Sequence, residues 1–117
     1  MRNLILASTL ALAGCATVSV PAEPATFTAL QCESIANILG ALAEARDVGI
    51  DEVAAQKIWH DANAEASDDA PDKITNPQSL AWVRHLVAEI YAHPERSAAA
   101  VHDGNLEGCM RPIGIET

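Results

Sequence analysis

Asn76-Pro77-Gln78-Ser79-Leu80-Ala81-Trp82-Val83-Arg84-His85-Leu86-Val87-Ala88-Glu89-Ile90-Tyr91-Ala92-His93-Pro94 is the stretch that decides the fold. Leu80, Val83, Leu86, Val87, Ile90 and Tyr91 recur at spacings of three and four, so a period of about 3.6 residues gathers them on one stripe. A half-buried strand would need apolar and polar residues in alternation, and no stretch of this chain alternates cleanly over six residues. The ends of the run are punctuated as a helix. Asn76 can cap the first backbone N–H groups, Pro77 suits the first helical position because its missing donor would be unpaired there anyway, and Pro94 stops the run.

The same reading extends towards the amino terminus. Asp51 opens a helix as N-cap, with Glu52 at the positive end of its dipole. Ala55, Ile58, Trp59 and Ala62 are its expected buried face, and Lys57 and Asp61 form an i,i+4 pair on the wet side. Before it, Cys32, Ile35, Leu39 and Leu42 share one stripe of a helix from about Thr28 to Val48, widened by Ile38 and Ala45, while Glu33, Asn37 and Glu44 lie off it. Gly49 then suits the left-handed residue that ends many helices. Residues 67–76 read as a polar loop. After Pro94, the segment Glu95 to Gly108 reads as one helix carrying Leu106 and Cys109 to the core, although Asp103-Gly104-Asn105 favours a turn. Half the residues are hydrophobic but only Phe27, Trp59, Trp82 and Tyr91 are aromatic; alanine supplies much of the rest and favours helix. The expected fold is all-α: a small four-helix domain closed by one disulfide, after a signal peptide and a flexible tether.

The leader is read from its own physics. Met1-Arg2-Asn3 gives one positive charge, and Leu4 to Ala13 is an uncharged run of ten residues. In helix this covers about 15 Å, half of a bilayer's hydrocarbon core, which is a signal-peptide length and not a membrane span. Leu12-Ala13-Gly14-Cys15 follows, and it resembles the lipobox of bacterial lipoproteins. That resemblance implies diacylglycerol and palmitate-type acylation at Cys15 and cleavage just before it. Ala16 at the next position implies sorting to the outer membrane, facing the periplasm. The expected organisation is residues 1–14 as lipoprotein signal peptide, 15–26 as lipidated cysteine and tether, and 27–117 as helical periplasmic domain. Pro21 and Pro24 favour an extended tether.

With Cys15 lipidated, Cys32 and Cys109 remain, in a compartment that oxidises thiols. An even pair at opposite ends of an exported domain reads as a disulfide, closing a loop of 77 residues. A redox role would call for the Cys-x-x-Cys spacing that this pair lacks.

Catalytic and metal chemistry find little support. Residues 61–72 place oxygen donors at positions 1, 3, 5, 7, 9 and 12 of a calcium-type loop. Yet Ala66 stands where the sharp turn needs glycine, Asp68 where an apolar residue is usual, and Asp72 where the longer Glu belongs. His60, His85, His93 and His102 give no pair four apart; His85 and Glu89 are four apart, which reads as a surface hydrogen-bonded pair. His93, beside Pro94, reads as a helix-end histidine. No Gly-x-Ser-x-Gly elbow or Gly-rich phosphate loop is present. The chain is expected to be no enzyme, with no cofactor and no metal.

The formal charge is −9, and one unit more negative once Arg2 leaves with the leader. Nucleic acid and anionic headgroups would be repelled by it. Arg46-Asp47-Val48-Gly49, Ile90-Tyr91 with Pro94, and a terminal Cys109 together resemble small exported disulfide-bonded helical proteobacterial proteins of unknown function. Arg46 also has a local rationale, as a cation at a helix carboxyl end. Three functions are expected of such a domain: binding an envelope protein, as in the small periplasmic proteins that neutralise amidase toxins; an acid-chaperone-like role in envelope stress; or a purely structural envelope lipoprotein. Mass spectrometry of the mature protein should show a triacylated cysteine as first residue, and Cys15→Ala should leave an unprocessed precursor; an unmodified terminus would refute the lipobox reading.

Overall fold

The computed structural model describes residues 20–23 and 26–114. The expected leader, the lipidation site Cys15 and most of the tether therefore lie outside the described residues. Among the described residues four α-helices are present, α1 (Ala29–Asp47), α2 (Glu52–Glu65), α3 (Pro77–Ala92) and α4 (Ala98–Met110), followed by a 3-10 turn, Arg111–Ile113. The fold is all-α, as the periodicity predicts, and among the described residues no helix is long and apolar enough to cross a membrane. α1 is the axis: it packs against each of the other three helices, most extensively against α4.

Each helix starts where a side chain can take up orphan N–H groups. Thr28 Oγ1 accepts from the Gln31 backbone at 3.1 Å, and Gln31 Oε1 accepts from the Thr28 backbone at 3.0 Å, a reciprocal capping box. Asp51 accepts from the Ala54 N–H, Asn76 from those of Gln78 and Ser79, and Ser97 from that of Ala100. α1 ends as expected, with Gly49 at φ +97°, a conformation costly for any side chain.

The core joins Ile35, Leu39, Leu42 and Ala43 of α1 to Ala55 and Trp59 of α2, Val83, Val87 and Ile90 of α3, and Val101 of α4. Burying each large member contributes about 1.5–3 kcal/mol. The contact between α1 and α4 is close at Gly40, where a Cβ would lie 3.3 Å from His102 Cβ and 3.6 Å from the Ala98 carbonyl oxygen, so a larger residue would push the helices apart by a few tenths of an ångström.

Three expectations change. Ile58 is 43% exposed and Ala62 is exposed, because α2 meets the rest of the domain along one narrow line. That line follows the i, i+4, i+8 row through Ala55, Trp59 and Asn63, and Ile58 lies about 100° around the helix from Trp59. α4 starts at Ala98 and not Glu95: the Arg96 N–H bonds the His93 carbonyl in a turn after Pro94, and Ser97 supplies the cap. Asp103-Gly104-Asn105 stays helical, as the one-helix reading expects, with Asn105 Nδ2 donating to the Val101 carbonyl at 2.7 Å. Leu106 is half-buried and outside the core, where Val101 and Met110 are the buried residues of α4.

Cys32 and Cys109 form the disulfide, with Cα atoms 5.6 Å apart and 77 residues between them in sequence. Cys32 is fully buried, so the bond fixes the start of α1 to the end of α4. On the chain-entropy account, closing so long a loop contributes roughly 4–5 kcal/mol. Cys32→Ser should lower Tm by more than about 10 °C, with Cys109→Ser doing the same and the double variant adding nothing; an unchanged melting curve would remove the disulfide from the stability argument.

Candidate partner-binding surface

The most constrained polar group is Arg46, whose side chain is 7% exposed. It does not serve its own helix end. It crosses to the end of α3, donating from Nη1 to the Ile90 carbonyl at 2.9 Å and the His93 carbonyl at 3.4 Å, and from Nη2 to the Arg96 carbonyl at 2.7 Å. Asp47 Oδ1 accepts from Nε at 3.0 Å and balances the charge. The planar fork thus closes the electronegative end of α3 and holds the turn into α4. Nearby, Tyr91 donates its hydroxyl to the Ile50 carbonyl at 2.7 Å, and burial first, then the Asp51 carboxylate, raises the phenol above its ordinary pKa.

Lys73 plays the equivalent part at the end of α2. Its ammonium, 13% exposed, donates to the Ala66 carbonyl at 2.8 Å and contacts Asp68 at 3.1 Å. This explains the calcium-like run. Asp61 to Glu65 belong to α2, so their donors point around a helix and do not converge, and the charge at the carbonyl end comes from lysine. Asp61 pairs with Lys57 at 2.5 Å; that hydrogen bond holds its carboxyl below the ordinary range and raises the Lys57 amine. Asn63 binds both backbone groups of Ile74, at 2.8 and 2.9 Å, and so draws this apolar loop residue into the core.

The histidines separate. His85 leans on Trp82 with ring centroids 5.2 Å apart and does not pair with Glu89. Glu89 faces His93 at 3.8 Å, which also contacts Glu95 at 3.2 Å, because His93 stands four residues on as the C-cap of α3. His60 lies beside Asp61, and His102 bridges Asn37 and Asp103. Among the described residues no three His, Cys, Asp or Glu side chains are placed to hold a metal.

The open feature is a groove. α3 and α4 are each packed on α1 but barely touch each other. Between them lies a cavity of about 490 Å³ walled by Trp82, Leu86 and Ile90 on one side and Ala100, Val101 and Gly104 on the other. It shares Trp82, Leu86, Gly104 and Asn105 with a smaller cavity of about 180 Å³ that ends on Phe27, Gly108 and Pro112. A second apolar cavity, about 270 Å³, sits under α2 between Trp59 and Ile74. The sequence marks the groove only through Trp82, which falls beside the buried stripe of α3.

Comparison with known proteins finds no matching family, curated relative or solved structure. Arg46→Met would leave the Ile90 and Arg96 carbonyls without their donor, at a cost of about 3 kcal/mol in urea unfolding. Arg46→Lys, which keeps the charge but loses the fork, should fall between Met and the parent. Equal stability of all three would show that the guanidinium is not a structural clamp.

Proposed function

We propose that this chain is a lipid-anchored, non-catalytic envelope protein whose acidic helical domain binds a cationic protein partner, as an immunity protein or inhibitor does. The carrying observation is where the cations go. Beyond the leader the sequence has six, Arg46, Lys57, Lys73, Arg84, Arg96 and Arg111. Arg46 and Lys73 are turned inward onto backbone carbonyls, and Lys57 and Arg111 are taken up by Asp61 and Glu107. Each of these four cations is matched by one carboxylate, Asp47, Asp68, Asp61 and Glu107, so the acidic excess of the chain falls on exposed carboxylates such as Glu33, Glu44, Glu52, Glu65 and Asp69. A field of this sign favours association with basic proteins and repels nucleic acid and anionic lipid.

The anchor rests on the Leu12-Ala13-Gly14-Cys15 motif, and the absence of a membrane-spanning helix among the described residues is compatible with it. The full-length chain in mild detergent, immobilised and exposed to envelope extract, should retain one basic protein, and retention should fall as salt rises because exposed charges are screened within about 10 Å at 0.1 M. Recovery of no specific protein, or of one whose binding ignores salt, would overturn the reading.

A further inference from the structure

Three glycines interrupt the helices, and only one has a packing reason. Gly40 faces the close approach of α4, 3.3 Å from His102 Cβ to where a Cβ would stand. Gly104 and Gly108, one turn apart on α4, have nothing within 4 Å of where a Cβ would stand. Glycine inside a helix is less stable than alanine, and here the fold does not demand it. Both line the groove between α3 and α4. Across from them stand Trp82 and Leu86, half-buried apolar side chains with no helix packed over them. The groove thus has one apolar aromatic wall and one wall of bare backbone.

We infer that the groove between α3 and α4 receives an amphipathic helical segment of the cationic partner, its apolar stripe against Trp82 and Leu86 and its backbone close to Gly104 and Gly108. This rests on the partner-binding reading and says where binding occurs. A helix laid there would complete the packing that α3 and α4 leave undone over α1, the helix-in-groove mode of recognition. Removing the side chains at Gly104 and Gly108 lets two helices approach more closely than alanine would allow. Charge selects the occupant. Glu89 and Glu23 line the groove, with Arg96 the cation at its far end, in a chain of formal charge −9. A second copy of this chain would bring the same negative field, so Lys or Arg flanking the apolar stripe fits better.

The test uses the full-length chain in detergent and an amphipathic Lys–Leu helical peptide of about 15 residues, with Glu–Leu and Lys–Ser peptides of equal length as controls. Only the Lys–Leu peptide should bind, with amide shifts concentrated in residues 82–90 and 101–108. Gly104→Ala should raise Tm by about 5 °C, since it removes a helix-interior glycine. Gly108→Leu, which fills the groove, should weaken Kd about tenfold or more, the loss expected for excluding one or two apolar side chains. Gly108→Leu also replaces a helix-interior glycine in open space, so its Tm should not fall below the parent's, and weakened binding at an undiminished Tm is a result that misfolding cannot produce. Unchanged affinity in Gly108→Leu, shifts outside the groove, equal binding of the Glu–Leu peptide, or dimers that the Gly108→Leu change abolishes would each overturn the groove assignment. If the peptide fails while envelope extract still yields a basic protein, the groove falls and the partner-binding reading survives; failure of both removes both.

Discussion

The Arg46 guanidinium is the joint on which the arrangement of helices depends. An arginine that is 7% exposed must find acceptors for nearly all its donors, and here they are three carbonyls from the end of α3 and the turn into α4. Leaving such a group unpaired in the interior would cost more than the bonds contribute, so the end of α1 cannot move independently of the α3–α4 connection. At the other end of α1, the Cys32–Cys109 bond does the same for the end of α4. The two fixed points are about 21 Å apart along one helix axis. One acts by limiting the unfolded chain, the other by satisfying polar groups out of water, so losing either leaves the second in place. Both ties run through α1, and α3 and α4 make few direct contacts with each other. The groove is a consequence of that scheme.

The same economy shapes the surface. Cations placed on helix-end carbonyls stabilise the fold through interactions that salt screens weakly, since Arg46 and Lys73 are largely shielded from solvent. Each keeps one carboxylate beside it, Asp47 and Asp68, so the two pairs are locally neutral and the chain's negative charge falls on the carboxylates left over. A chain with these two cations out in solvent would carry the same net charge but be less tightly closed at its helix ends.

Much of this was legible in the residues. Strong periodicity in α1 and α3, with Asn76, Pro77, Asp51 and Gly49 at the boundaries, placed three helices and their caps, because those signals are local. The disulfide followed from cysteine number and from the export that the leader-like first residues lead one to expect. What local reading missed depends on contacts far apart in sequence. Arg46 looked like a cap for its own helix, since the carbonyls it binds lie 44 or more residues away. Ile74 was hidden in a polar loop, though it is the one large apolar residue between Ala66 and Pro77, and Asn63 at the end of α2 supplies the two bonds that pull it inward. The face of α2 was misjudged at Ile58 because periodicity locates an apolar stripe but not how narrow the contact on it will be.

The groove itself has a direction. Its shallow end is closed by the chain's own entering residues, with Glu23, Thr26 and Phe27 lining the small cavity and Phe27 packed on the core. The Ala22 carbonyl is held by Gln78 Nε2 at 3.4 Å, so the segment that leads back towards residue 15 arrives at the start of α3. The deeper end opens between Glu89 and Arg96, at the finish of α3 and the start of α4. On α3 the groove runs from Trp82 to Ile90, about 12 Å of helix. In the proposed complex a partner helix would enter between Glu89 and Arg96 and meet the apolar wall at Leu86 and Trp82 last. Its approach is governed first by the charged rim and only then by apolar burial, which is the order that favours fast association with a basic partner and rejects an acidic one.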